Sequence, residues 1–207
     1  MMNIAVLVSG GGTNLQALID AQNRGEIKGG KIKLVISSKA GAYALERAQK
    51  NDIPTRVIAR SDYADIRSYT AAVRDALLEA GADLVVYAGF MTILDSQIVK
   101  AFPYKMINVH PALIPSFCGK GFYGLRVHEA ALEKGVKLTG ATVHFVTEEC
   151  DGGPIIMQKS VPVENGDTPE ILQKRVMEQC EWKILPEAVS LFCQGRIKVS
   201  ENKTIII

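Results

Sequence analysis

Long runs of lysine and arginine are missing from this chain, although its 24 basic residues slightly outnumber its 22 acidic ones. Without a basic arm or patch, the pattern does not point to nucleic acid as a partner. No uninterrupted apolar stretch approaches the length of a membrane span, so no membrane partner is expected either. The apolar start, "MMNIAVLVSGGG", has no basic leader and stops too early for a signal peptide. The expected location is therefore the cytoplasm. Cys118, Cys150, Cys180 and Cys193 show no C-x-x-C spacing, which argues against a zinc site or a disulfide framework. They are expected to be free thiols of a reducing compartment. The three histidines have no helical H-x-x-x-H spacing, so no metal is expected. Internal repeats, low-complexity tracts and interdomain linkers are also lacking.

What is present is ordinary globular composition, 47% hydrophobic and 22% charged over 207 residues. That size and balance favour one domain with a substantial core, expected over residues 1–207. Strand and helix signals alternate. "NIAVLVSG" is a continuous apolar run that reads as a buried parallel strand. "TNLQALIDAQNRGEI" follows at helical spacing, with Thr13 or Asn14 placed to cap it. "KIKLVISSK", "PTRVIAR", "ADLVVYAGF" and "MINVHP" read as further strands with helices between them. "LTGATVHFVTEE" and "PIIMQKSVPVE" alternate around a "CDGG" turn. A last long helix should bend at Pro186, and "RIKVSENKTIII" reads as a closing hairpin around Glu201–Asn202. Alternating β and α units predict an α/β fold: a doubly wound, mostly parallel sheet of about seven strands with helices on both faces.

Ligands of such sheets bind beyond the carboxyl ends of the strands. That rule gives "VLVSGGGTN", "YAGFM" and "INVHP" a common address. "SGGGTN" is neither G-x-G-x-x-G nor a Walker loop. It reads as a tight strand-to-helix turn or as a cradle for a small phosphate. Asn108 and His110 sit two apart and so share a strand face. At a sheet's carboxyl edge an amide and an imidazole can hold an oxyanion and move a proton. Asp151, in "ECDGGP", suits either a turn or a carboxylate that orients and charges a histidine. His144 reads equally as core packing or as a direct participant, and His128 as structural. Cys118, with no evident base, is a weak nucleophile candidate.

In order and spacing, "VLVSGGGTNLQALID", "AGFMTIL", "INVHPALIPSF" and "GATVHFVTEECDGGPII" resemble the phosphoribosylglycinamide formyltransferases, within the folate-dependent formyltransferase superfamily. The resemblance runs over nearly the whole chain and implies a Rossmann-like formyltransferase fold. It also implies transfer of a formyl group from the cosubstrate 10-formyltetrahydrofolate to the amine of glycinamide ribonucleotide, in purine biosynthesis. Catalysis falls to Asn108, His110 and Asp151. Gly12, Thr13, Asn14, Gly89, Pro111 and Glu181 are implied as substrate-binding, with Glu181 on the ribose hydroxyls. Arg67, Met91, Thr92, Ile93, Leu94, Asn108, His144, Val146 and Asp151 are implied near the folate, whose pterin would use backbone from Glu148 through Asp151. A phosphate and nucleotide half would cover about 1–100, and a folate and catalytic half about 101–207.

Relatives with extra domains, the methionyl-tRNA formyltransferases and the formyltetrahydrofolate deformylases, fit less well, since no additional domain is expected. The implied mechanism is direct attack through a tetrahedral oxyanion held by Asn108 and a protonated His110, with no metal. A monomer or a homodimer is expected. Thr92 stands where some members carry an arginine, Trp182 where a histidine is frequent, and Glu178 where a glutamine lies near the phosphate. A ligand sensor without turnover, hydrolysis of the folate formyl group, and transfer to a sugar nucleotide are the competing readings.

Overall fold

The computed structural model describes residues 1–207. Its centre is a seven-stranded sheet in the order β3-β2-β1-β4-β5-β6-β7. β1 (Met2–Val8) lies between β2 (Gly30–Ser37) and β4 (Leu84–Tyr87), and β3 (Thr55–Val57) forms one edge. These strands and β5 (Met106–His110) pair in parallel. β6 (Leu138–Phe145) and β7 (Ile155–Pro162) continue the sheet in antiparallel register.

Alternate residues of β1 enter different cores. Ile4, Val6 and Val8 pack with Leu15, Leu18 and Ile19 of α1 (Thr13–Asn23) and with Ile184, Leu185 and Val189 of α7 (Trp182–Cys193). Ala5 and Leu7 pack on the opposite face with Tyr69, Val73 and Leu77 of α3 (Ile66–Glu79) and Ile98 of α4 (Gln97–Ala101). A strand buried on both faces must be apolar throughout, which is why "IAVLV" shows no alternation. Each buried Ile, Val or Leu there contributes about 1.5–3 kcal/mol on burial. α2 (Tyr43–Gln49) and α5 (Leu125–Lys134) complete the helices around the sheet, and β8 (Ile197–Ser200) and β9 (Lys203–Ile206) form the expected hairpin.

One local expectation changes, and one feature is added. α1 is capped neither by Thr13 nor by Asn14. Its N-cap is Gly12, in left-handed conformation at φ 71°, and no side chain caps the helix. α3 and α6 (Pro169–Val176), in contrast, carry side-chain caps from Asp65 and Thr168. The last helix departs from α geometry at Met177–Glu181, upstream of Pro186, where one π-helical turn joins α6 to α7. Pro186 sits inside α7 and offers no N–H to the carbonyl four residues back. Wide turns of this kind occur often at functional sites.

Candidate active site

The strand order reverses at β1, so the loops leaving β1 and β4 part around a crevice at their carboxyl ends. Two bonds tie those loops together. Ser9 N–H donates to the Gly89 carbonyl at 3.1 Å, and Met91 N–H donates to Ser9 Oγ at 3.0 Å. β5 lies beside β4, which sets His110 about two strand spacings, or about 10 Å, from the end of β1.

The turn after β1 is open on one side only. The Gly10 carbonyl accepts from Ala44 N–H at 3.1 Å, the Gly11 carbonyl from Arg47 Nε at 2.8 Å, and the Gly12 carbonyl from Gln16 N–H at 2.9 Å. None of the N–H groups from Gly10 to Asn14 donates to a protein acceptor. Unpaired donors at a helix start, without a capping side chain, form a concavity suited to an anion. Gly12 is required there, because a Cβ would stand 2.6 Å from Ala44 Cβ on a left-handed backbone.

Side chains freed from capping α1 reach the π turn instead. Asn14 Nδ2 donates to Glu181 Oε2 at 2.6 Å, and Thr13 Oγ1 lies 3.8 Å from Met177 Sδ. Glu181 is buried, and that burial pushes its carboxyl up to about 7 against the opposing Asn14 bond. Asn14 Oδ1 is buried without a partner. These two residues from distant parts of the chain form one polar spot beside the turn. Glu178 pairs with Lys174 at 3.9 Å on the helix surface.

At the other end of the crevice, β5 and β6 set Asn108 opposite His144 and His110 opposite Thr142. Asp151 lies between the two rings, its Oδ2 3.6 Å from His110 Nδ1 and its Oδ1 3.6 Å from His144 Nε2. Gly119 N–H donates to Asp151 Oδ2 at 2.9 Å. Burial raises the Asp151 carboxyl, but the His144 hydrogen bond, the His110 charge and the Gly119 donor together hold it below the usual carboxylate value. His144 Nδ1 lies 2.9 Å from the Phe145 carbonyl, and Asn108 Nδ2 lies 3.2 Å from His144 Nε2.

The Asp151 turn is compact. Asp151 adopts φ 57°, and a Cβ on Gly153 would stand 1.8 Å from the Phe145 carbonyl.

His110 is engaged on both nitrogens. Its Nε2 donates to the Phe117 carbonyl at 2.8 Å, while Nδ1 faces Asp151. Burial pushes the ring below the ordinary histidine value, with the Asp151 charge and the Phe117 carbonyl opposing. Burial thus works against the expected protonated His110, while the two acceptors that face its nitrogens, the Asp151 carboxylate and the Phe117 carbonyl, work for it. The loop after His110 is pinned at its root: Thr142 Oγ1 donates to the Ala112 carbonyl at 2.7 Å and accepts from Ile114 N–H at 3.1 Å. Gln158 Nε2 reaches the Ile114 carbonyl at 3.0 Å.

Met91 and Ile93 are exposed and Thr92, Leu94, Pro111 and Val146 half-buried around the crevice loops. A cleft of about 520 Å³ is lined by Val99, Tyr104, Val146, Glu148 and Glu149, among others. Arg67 stands apart, exposed on the first turn of α3, with its carbonyl accepting from Gln97 Nε2. Cys118 Sγ turns to the Pro115 carbonyl at 3.2 Å, and burial together with the nearby Asp151 and Glu149 carboxylates pushes its thiol up, against thiolate formation. His128 is fully buried with neither ring nitrogen bonded, and burial pushes it down to about 4.

Sequence reasoning missed Arg47, Thr142, Gln158, Phe117 and Gly119. For Thr142 the signal was present, since an antiparallel β5–β6 pairing puts "TVH" opposite "NVH". The others act through or upon backbone atoms, for which side-chain identity carries no signal.

This combination of a doubly wound sheet, an open glycine turn and an Asn-His-Asp cluster has a counterpart among known families. The chain belongs to the formyl transferase family, whose family model matches residues 2–189. It is 42% identical over 201 residues to the phosphoribosylglycinamide formyltransferase of Escherichia coli, covering 97% of this chain and 92% of that protein. It is 45% identical over 202 residues to the bovine (Bos taurus) trifunctional purine biosynthetic protein adenosine-3, spanning 98% of this chain but only 19% of that longer protein. The crystal structure of glycinamide ribonucleotide transformylase 1 from Symbiobacterium toebii superposes with a TM-score of 0.94 at 42% identity, covering 100% of this chain and 94% of that one. No helix is long and apolar enough to cross a membrane.

Proposed function

We propose that this chain transfers the formyl group of 10-formyltetrahydrofolate to the amine of glycinamide ribonucleotide in purine biosynthesis. The observation that carries the reading is an anion-accepting turn and an Asn-His-Asp cluster at the two ends of one crevice, in a chain of the formyl transferase family. The separation of about 10 Å suits a ribose phosphate that carries a glycinamide arm. The phosphate takes the free N–H groups of Gly12, Thr13 and Asn14, and the ribose hydroxyls take Glu181. Gly89 and Pro111 border the arm. The folate enters from the β4 side, along Met91, Thr92, Ile93, Leu94, His144 and Val146, with its pterin against the 148–151 turn and Arg67 at its far end. The nucleotide side draws mainly on residues 1–100 and the chemistry on 101–207, in one domain acting in the cytoplasm.

The amine attacks the formyl carbon, the carbonyl oxygen becomes an oxyanion, and the bond to N10 then breaks. The amine's proton passes to N10, so no acyl-enzyme forms. Asn108 and His110 donate to the oxyanion. The Phe117 carbonyl now occupies the acceptor place 2.8 Å from His110 Nε2, and the formyl oxygen would replace it there. Asp151, ionised across the neutral range, steadies the ring as negative charge grows on that oxygen and positive charge on the attacking amine. No group of three or more histidine, cysteine or acidic side chains is arranged to hold a metal ion.

A spectrophotometric assay with purified protein, the folate and the ribonucleotide, each omitted in turn, tests this reading. Folate deformylation that requires the ribonucleotide and yields its formylated product is the expected result. Folate loss without the amine would make the chain a hydrolase, and saturable binding without turnover would make it a sensor.

A further inference from the structure

The geometry points to Arg47 as a positioning residue for the substrate phosphate, acting through the glycine turn from a separate helix. This inference rests on the phosphate occupying that turn, as the proposed reaction requires. Each peptide of the turn has its carbonyl and its N–H on opposite sides. Pulling the carbonyls one way therefore aims the N–H groups the other way. Two of the three glycine carbonyls are held from α2, Gly10 by the Ala44 N–H and Gly11 by Arg47 Nε. Ala44 also fills the space against Gly12.

Arg47 makes the longer reach, across 36 residues of sequence. Its Nη1 bonds Gln16 Oε1 at 3.1 Å, so one guanidinium clamps both the turn and the first turns of α1. Its Cζ lies 4.9 Å from the centre of the Tyr43 ring, which fixes the plane of the fork. No carboxylate lies within ion-pair distance of Arg47, unlike Arg24, Arg56, Arg74 and Arg175. The Arg47 charge stands at the rim of a cleft of about 260 Å³ that also includes Thr13, Asp20, Arg24, Trp182 and Lys183, three cations against one carboxylate. A phosphate in the turn would thus meet aligned N–H dipoles, with a cation behind them and no competing carbonyl. Losing the clamp frees the Gly11 peptide to rotate and present its carbonyl to the anion.

The test measures ribose 5-phosphate binding by calorimetry in the wild type, Arg47→Ala and Arg47→Lys, together with KM for both substrates and the melting temperature. We expect Arg47→Ala to weaken ribose 5-phosphate binding and raise KM for the ribonucleotide by about tenfold or more, with KM for the folate unchanged. Arg47→Lys, which keeps the charge and one donor, should recover part of the loss. Binding within about twofold of wild type in a folded Arg47→Ala protein would overturn the inference. So would equal KM increases for both substrates, which mark a general loosening. If Arg47→Ala does not fold, Arg47→Lys decides alone, by whether its loss is confined to phosphate-bearing ligands. A wild type that transfers formyl but does not bind ribose 5-phosphate would overturn the inference and leave the reaction standing. Arg47-dependent phosphate binding without formyl transfer would do the reverse.

Discussion

The two ends of the crevice are prepared differently. At the glycine turn the carbonyls are tied back into the protein and the N–H groups are left open, so a ligand can bind without displacing anything. At the imidazole end the chain occupies its own chemistry: the Phe117 carbonyl sits on His110 and the Gly119 N–H sits on Asp151. One end is preformed and empty-handed; the other must exchange a protein contact for a substrate contact. Affinity for the ribonucleotide should therefore depend on rigidity, whereas turnover should depend on release of the 117–119 segment. Preorganised donors cost little to use. Self-satisfied groups stay stable until the right acceptor arrives.

The largest effects should come from the imidazole end. Asn108→Ala, His110→Ala and Asp151→Ala should each lower kcat by about two to three orders of magnitude while ribose 5-phosphate binding stays near wild type. Steady-state kinetics beside calorimetry check this, and wild-type-like turnover in a folded variant would remove that residue from the chemistry.

Breaking the other end should give the opposite split. Gly12→Ala places a Cβ against Ala44 on a left-handed backbone, at a strain of about 1–2 kcal/mol before any clash is relieved. KM for the ribonucleotide should rise by at least about tenfold, with a smaller change in kcat. A kcat loss as large as that of His110→Ala would erase the distinction between the two ends.

Glu181 tests whether the turn's polar neighbour is tuned by burial. Its carboxyl is raised to about 7 in the folded protein and stands near 4.5 when unfolded. Between those values the folded state holds a proton that the unfolded state has lost. Its contribution to stability therefore falls as pH rises through this window, by about 3 kcal/mol in all. Glu181→Gln should abolish that fall, seen as an unfolding free energy that rises between pH 5 and pH 8 where that of the wild type stays nearly level. His128, pushed down to about 4, has the opposite slope, gaining stability as pH rises from about 4 towards 6.5. In the wild type the two trends offset, so only the variant reveals either one. An unchanged pH profile in Glu181→Gln would mean that the carboxyl is not held in the protonated state.

The smallest effect belongs to Cys118. Its thiol only approaches the Pro115 carbonyl, and Cys118→Ala should keep kcat within about twofold. An inactive but folded variant would revive a covalent route.

The sheet and most of the site were legible in the sequence for a common reason. β1 and β4 are buried on both faces, so their apolar runs could not be read as anything else. Asn108 and His110 announced themselves through period-two spacing at a strand end. His144 was harder, because its partnership with Asn108, like that of Thr142 with His110, is visible only once β5 and β6 are paired antiparallel, and "TVH" opposite "NVH" becomes a signal only in that register. The cap of α1 was misread because Thr13 and Asn14 are good capping residues by type. Their side chains instead serve Met177 and Glu181, more than 160 residues away. The burial that pushes His110 down was hidden too, since it depends on the whole packed loop.

The π turn has a consequence for the helix that contains it. Leu172, Val176, Cys180, Ile184 and Ala188 are all buried, at an unbroken spacing of four. In an uninterrupted α-helix that spacing would wind the buried stripe about 160° around the axis over sixteen residues, at about 100° per residue. One extra residue in the turn at Met177–Glu181 cancels about 100° of that winding. The wide turn therefore resets the phase of the helix, letting α6 and α7 share one dry seam while Glu181 swings off it towards Asn14.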